Sequence, residues 1–162
     1  MINLDSTKMI EQVVRNLASL KIRSCGIAVS GGSDSIALLH ILTDWESENK
    51  PKILVASVDH GLRSESRSEV EFVKKICEMK NVKHFSLKPT ANISEAQGNL
   101  QDNARSARYQ LLRNWAISND LQSILVGHTL DDQEENLLIR FLRGSGVDLS
   151  LIHISEPTRH EC

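Results

Sequence analysis

Ser30-Gly31-Gly32-Ser33-Asp34-Ser35 lies between two apolar runs, Cys25 to Val29 before it and Ile36 to Leu42 after it. A short apolar run, a glycine pair among hydroxyls and then a helix is the layout of a phosphate site at a strand end. Gly31 and Gly32 let the backbone approach a ligand closely. Amides at the start of the following helix point at an anion, with the helix dipole behind them. Ser30, Ser33 and Ser35 add hydroxyl donors. Asp34 repels phosphate unless a divalent cation lies between the two charges, which makes it a candidate metal ligand. The plainer alternative is an ordinary turn with a serine helix cap.

Three further clusters carry candidate chemistry. Asp59 and His60, in Val58-Asp59-His60-Gly61-Leu62-Arg63, end an apolar run and are candidates to contact a nucleotide sugar, base or metal; a simple Asp-Gly type turn is the alternative. In Gln101 to Tyr109, Arg105 and Arg108 are neighbours on a helix at i and i+3. Each is suited to phosphate or to a solvated helix face, and Tyr109 to base stacking or plain packing. In Gly127-His128-Thr129-Leu130-Asp131-Asp132-Gln133-Glu134-Glu135-Asn136, His128 suits phosphate contact or proton transfer. Asp132 and Glu135, three apart, can face one site, and with Asp34 they would hold Mg²⁺ against pyrophosphate. Asp131 and Asp132 equally suit a helix N-terminus as dipole-stabilising carboxylates.

Three of the four clusters follow apolar runs and the one over 101–109 lies on a helical stretch, so the elements that position them are a series of strands and helices. The reading is a helix with Ser6 or Thr7 as cap, a strand over 24–29, a helix to about 47, a strand over 53–58, and a helix over 64–79. A weaker strand follows near 82–88, then a loop over 90–98, a helix over 99–119, a strand over 123–126 and a last helix over 131–143. Alternation of this kind predicts an α/β fold, a Rossmann-like parallel sheet with helices on both faces and ligands at the carboxyl ends of the strands.

The 162 residues suit one domain. A net charge of −2 gives no support for non-specific nucleic-acid binding by the whole surface. Cys25, Cys77 and Cys162 make no zinc spacing, and the first two read as small core residues. No apolar stretch reaches membrane-span length, and the N-terminus lacks a signal-peptide pattern, so the expectation is a cytoplasmic protein. There is no Gly-Lys pair for the common P-loop, and Gly144-Ser145-Gly146 lacks the third glycine of a dinucleotide fingerprint.

The loop over 30–35 resembles that of the ATP-pyrophosphatase, or PP-loop, family, which splits ATP between the α and β phosphates. With Val58 to Arg63, Asn103-Ala104-Arg105, Gly127 to Gln133 and Leu142 to Gly146, residues 24–148 are similar to the N-terminal domain of the tRNA(Ile)-lysidine synthetase family. The resemblance implies adenylation of the wobble cytidine of a CAU-anticodon isoleucine tRNA by ATP and Mg²⁺. Free L-lysine then displaces AMP and completes a ligation. It implies Ser30, Gly31, Gly32, Ser33, Asp34, Ser35, Asp59 and His60 at ATP, Asp34 and Asp132 at the metal, and Arg105 and His128 at the transition state.

Asn136 stands where the family usually has threonine. The family's paired-cysteine thiolase relatives differ from this chain, which has no such pairs. Another PP-loop enzyme, thiolase or amidotransferase-type, and an ATP-binding module without turnover are the alternatives. Gly144-Ser145-Gly146 reads as a connector toward substrate or a following domain. Residues 1–148 are expected to be the catalytic domain. Residues 149–162 depart from the family pattern and are expected to be a non-native read-through tail in place of the tRNA-binding C-terminal domains.

Overall fold

A computed structural model of the chain describes residues 4–59, 64–89, 100–129, 137–142 and 149–153. The elements in order are α1 (Leu4–Ser19), β1 (Ser24–Ala28), α2 (Ser33–Asp44), β2 (Lys52–Val58), α3 (Ser64–Met79), β3 (His84–Leu87), α4 (Leu100–Ser118), β4 (Ser123–Thr129), β5 (Leu137–Leu142) and β6 (Leu149–His153). The loop read over 90–98 lies outside the described residues, as do residues 130–136, the first half of the predicted last helix.

Strands alternate their side chains between two faces, and both faces of this sheet are covered. On one face Cys25, Ile27 and Val29 of β1 and its extension, Val55 of β2 and Leu125 of β4 pack with Val13 and Leu17 of α1. The same cluster takes in Leu38, Leu39 and Leu42 of α2 and Val73, Ile76 and Cys77 of α3. On the other face Ala28, Leu54, Ala56, Ile124 and Val126 pack with Leu112, Trp115 and Ala116 of α4. Three helices on one side and one on the other explain why β1, β2 and β4 read as continuous apolar runs rather than as alternations. Burial pushes the Cys25 thiol up to about 12 and, with Glu78 contributing, the Cys77 thiol up to about 11. Both are free and buried, as expected of small core residues.

Gly26 is the point of closest approach on the second face. A Cβ there would lie 2.5 Å from Trp115 Cζ3 and 2.9 Å from Leu121 Cδ1, so the indole of α4 rests directly on the β1 backbone. Trp115 also meets Phe85 of β3 edge to face, with centroids 5.7 Å apart.

Three of the helices end in the same way. In α1, α3 and α4 the amides of Ile22, Val82 and Leu121 donate back to the carbonyls of Leu17, Cys77 and Ala116 at 2.9–3.2 Å. One residue earlier, the amides of Lys21, Asn81 and Asp120 donate to Ala18, Glu78 and Ile117. This is the paired Schellman pattern, which answers the last carbonyls of a helix and turns the chain through a left-handed residue. Here that residue is never glycine: Lys21, Asn81 and Asp120 have φ of 52°, 54° and 52°. Each motif delivers an apolar residue to the core and starts the next strand within a few residues. α2 ends differently. Trp45 is extended, and the Lys50 ammonium donates to the Thr43 carbonyl at 2.7 Å.

The sheet order is β3-β2-β1-β4-β5-β6. The first four strands are mutually parallel, as the α/β reading expects. Two expectations are corrected. Leu137–Leu142 is strand β5, antiparallel to β4, and not the second half of a helix over 131–143. A short apolar run such as Leu-Leu-Ile-Arg-Phe-Leu fits a buried strand as well as a helix. The partner that settles it is β6, which pairs antiparallel with β5 and lies within residues 149–162, the segment set aside as a tail. The sheet is therefore mixed at this edge. The first helix also starts at Leu4 and runs through Ser6 and Thr7, so neither is its cap.

Successive strands run outward from β1 through β2 to β3, and the chain then returns past β1 to place β4 on its other side. The carboxyl end of β1 thus lies at the point where strand order reverses, the place where open α/β sheets bind ligands.

Candidate functional site

Val29 continues β1 by one residue, its amide donating to the Ala56 carbonyl at 2.9 Å, and the chain then leaves the sheet. The loop that follows is tied chiefly by the Ser35 hydroxyl, with Ser30 Oγ accepting from the Gly32 amide at 3.5 Å. Ser35 is buried. Its Oγ donates to the Gly32 carbonyl at 2.9 Å, accepts from the Ser30 amide at 3.2 Å and lies 3.3 Å from Ser30 Oγ. A hydroxyl has one proton and two lone pairs, so Ser35 is largely engaged within the loop and sets its shape. Ser30 and Ser33 are exposed and present their hydroxyls at the surface of the same turn.

Gly31 takes φ of +92°, a conformation open to glycine and disfavoured for other residues. It also lies under α3. A Cβ at this position would be 3.0 Å from Glu69 Cβ and 3.3 Å from its Cγ. Gly32 is the N-cap of α2 in extended backbone, with no side-chain cap. The first intrahelical bond runs from the Ile36 amide to the Gly32 carbonyl at 3.0 Å. The amides ahead of it have no intrahelical acceptor; the Gly32 amide reaches Ser30 Oγ at 3.5 Å, and Gly32 has no side chain to cap the others. Asp34 lies in this first turn, half-buried, with Ser33 Oγ donating to its Oδ1 at 3.4 Å. The start of α2 rests on β4: a Cβ on Gly127 would lie 3.3 Å from Asp34 C and O and from Ser35 Cα.

Beside the loop is a cavity of about 230 Å³. Ala28, Val29, Ala56 and Val58, from the carboxyl ends of β1 and β2, give it an apolar floor. Ser30, Glu69 and Arg108 are its polar walls. An uncapped helix start next to an apolar floor with opposite charges on its rim suits a ligand with an anionic end and a flat apolar end.

The structure brings Ser30, Gly31, Gly32, Ser33, Asp34 and Ser35 together at the switch point. Asp59 follows β2 directly, half-buried, with its amide donating to the Leu87 carbonyl at 2.9 Å. Arg105 lies on α4, one turn before Arg108, and His128 on β4, next to Gly127; the side chains of Arg105 and His128 lie outside the described residues. His60 and Asp132 lie outside them entirely. Sequence reasoning missed Glu69, which looked like one more charge on the solvated face of an amphipathic helix. It paired Arg108 with Arg105 without selecting it.

Among the described residues there is no group of three metal-ligating side chains. A single carboxylate such as Asp34 in the first turn of α2 still suits Mg²⁺, which binds through one or two carboxylates plus substrate phosphates and keeps several waters. No helix among the described residues is long and apolar enough to cross a membrane.

A parallel α/β sheet with a glycine-serine loop at its switch point defines a nucleotide-binding class of domain. The family model for the PP-loop domain matches residues 3–162, and the chain belongs to that family. It is 47% identical over 125 residues to a tRNA(Ile)-lysidine synthase of Ruegeria pomeroyi, a match that covers 77% of this chain and 29% of that protein. It is 41% identical over 142 residues to a tRNA(Ile)-lysidine synthase of Wolbachia pipientis, covering 87% and 33%. The chain thus spans about a third of the length of these curated relatives. Among solved structures it is similar in fold to a U34-tRNA thiolase of Methanococcus maripaludis. That match has a TM-score of 0.66 at 18% identity and covers 78% of this chain and 46% of that one. An ammonia-dependent NAD synthetase of Campylobacter jejuni is also similar, with a TM-score of 0.58 at 15% identity, covering 75% and 53%.

Proposed function

We propose that this chain is the ATP-activating part of a tRNA(Ile)-lysidine synthase. The observation that carries the reading is the uncapped start of α2, reached through Gly31 and Gly32 at the sheet's switch point. It belongs to a chain whose relatives at 41–47% identity carry that name. Phosphoanhydride cleavage builds charge on the leaving pyrophosphate, and oriented amides that need no rearrangement are the groups that stabilise it.

In this reading the amides at the start of α2, with the Ser30 and Ser33 hydroxyls, bind the phosphates. Ser35 holds the loop in shape, and the apolar floor beside Val58 and Asp59 takes the base, with His60 next in sequence. The oxygen on the wobble cytidine's ring carbonyl attacks the α phosphorus, the bond to the β phosphate breaks, and pyrophosphate leaves. The lysine amine then attacks the ring carbon, the carbon–oxygen bond breaks, AMP leaves, and the amine gives up its proton. Arg105 and His128 serve the charge that develops in these steps. Asp34 and Asp132 would hold Mg²⁺, which when bound neutralises the phosphate oxygens.

The test is pyrophosphate release from ATP and Mg²⁺, with and without L-lysine and an isoleucine tRNA bearing CAU, alongside an Asp34→Ala variant. Release that requires the tRNA and falls on the order of 100-fold in the variant is expected. A chain that binds no ATP, or that forms AMP with ammonia and no tRNA, overturns the reading.

A further inference from the structure

We propose that Glu69 of α3 reads the ribose hydroxyls of the nucleotide, making the site selective for ribonucleotides. The inference rests on the ATP reading above and assigns a role to a residue that sequence motifs left out.

The stem of Glu69 is seated against the turn of the phosphate loop, where a Cβ on Gly31 would be 3.0 Å from Glu69 Cβ and 3.3 Å from Cγ. Glu69 also lines the cavity, together with Ser30 and the apolar Ala56 and Val58. An ionised carboxylate only accepts hydrogen bonds, so beside a phosphate cradle it is a poor neighbour for the phosphates and a good one for neutral donors. In a nucleotide with its phosphates at the start of α2 and its base on the apolar floor, the segment between them is the sugar, and its donors are the 2′ and 3′ hydroxyls. An acidic side chain accepting from ribose hydroxyls is the arrangement that dinucleotide sites use for the same purpose. Arg108, the other charged residue on the cavity wall, has donors only and cannot take that part.

The stem contact and the carboxylate separate experimentally. Glu69→Leu keeps an aliphatic stem to pack on Gly31 and removes both acceptor oxygens. Binding of ATP, 2′-deoxy-ATP and 3′-deoxy-ATP is measured by equilibrium dialysis for the wild-type chain and this variant. Loss of a hydrogen bond to a charged group predicts that the wild type binds at least one deoxynucleotide about ten-fold more weakly than ATP. In Glu69→Leu, ATP should weaken to that same level, with binding of the deoxynucleotide nearly unchanged. A wild type that binds all three equally overturns the proposal and leaves the ATP reading standing, as does a variant that still prefers ATP. Equal weakening of all three nucleotides in the variant makes Glu69 a support for the loop only and also overturns it. A wild type that binds none of the three overturns the ATP reading and this proposal with it.

Discussion

Gly31→Ala and Gly32→Ala are neighbouring substitutions of the same chemistry with opposite expected outcomes. At Gly31 the backbone has φ of +92°, and an L-residue held in the left-handed region costs about 1–2 kcal/mol. The new methyl would also stand 3.0 Å from Glu69 Cβ, well inside the ~3.5–4.0 Å optimum for two carbons. The crowded atom is the Cβ, fixed to the α3 backbone and not at the free end of the side chain, so relieving the contact costs about 1–2 kcal/mol. The stiffer unfolded chain offsets roughly 0.4–1 kcal/mol, leaving a net penalty of about 1–3.5 kcal/mol.

That penalty falls in one of two places. If the loop keeps its shape, the loss appears in urea unfolding and ATP affinity is unchanged. If the loop relaxes, stability is kept and ATP must restore the shape, weakening binding by roughly five-fold to a few hundred-fold. The sum of the two losses is what the geometry fixes. At Gly32 the backbone is ordinary extended chain, with φ of −70° and ψ of 155°. A methyl there would meet only Ser30 Oγ at 3.6 Å, so Gly32→Ala should change stability by no more than about 0.5 kcal/mol. Urea titration and ATP dialysis on both variants give the answer. Gly31→Ala within about 0.5 kcal/mol of wild type on both measures would refute the strain reasoning.

Other consequences follow from the helix ends and from β3. Lys21→Gly should raise stability by roughly 0.5–1 kcal/mol, because the position already sits at positive φ in a Schellman motif. Asn81→Gly and Asp120→Gly should gain less, since asparagine and aspartate tolerate that conformation; a urea midpoint that fails to rise at Lys21 would count against this. His84 lies 3.0 Å from Ser57 Oγ, and burial, with Lys74 adding to it, holds its imidazole below the usual 6.5. The unfolded chain therefore binds the proton more readily. The stability contribution is complete above about pH 6.5 and is lost as pH falls through the lower folded value. Thermal unfolding across that window should show a steeper acid loss for wild type than for His84→Gln.

Much of this fold could be read from residue order. β1, β2 and β4 are apolar runs that end at polar clusters, and a run covered on both faces has that signature whatever packs on it. The turn over 30–35 between strand and helix was legible because glycine and serine at fixed places leave few other structures. β5 was not legible, because five apolar residues and one arginine carry no period that separates helix from strand, and the strand's partner β6 lies in residues 149–162, expected on sequence alone to be a tail. Glu69 was not legible for a different reason. Its importance lies in what it touches, Gly31 some forty residues earlier in the chain, and a helical charge pattern holds no record of a contact across the fold. The left-handed helix ends were hidden too, since lysine and aspartate do not advertise positive φ as glycine does.

The hydroxyl of Ser35 ties the Ser30 amide to the Gly32 carbonyl, so the turn is closed before any ligand arrives. An anion entering such a turn meets amides already oriented and does not spend binding energy on ordering them. The cradle then acts as a fixed die and not as a lid. On the proposed ATP reading, discrimination among ligands would fall to the side walls at Glu69 and Arg108, and association would proceed at a rate set by encounter and dehydration, without a loop-closure step at the phosphates.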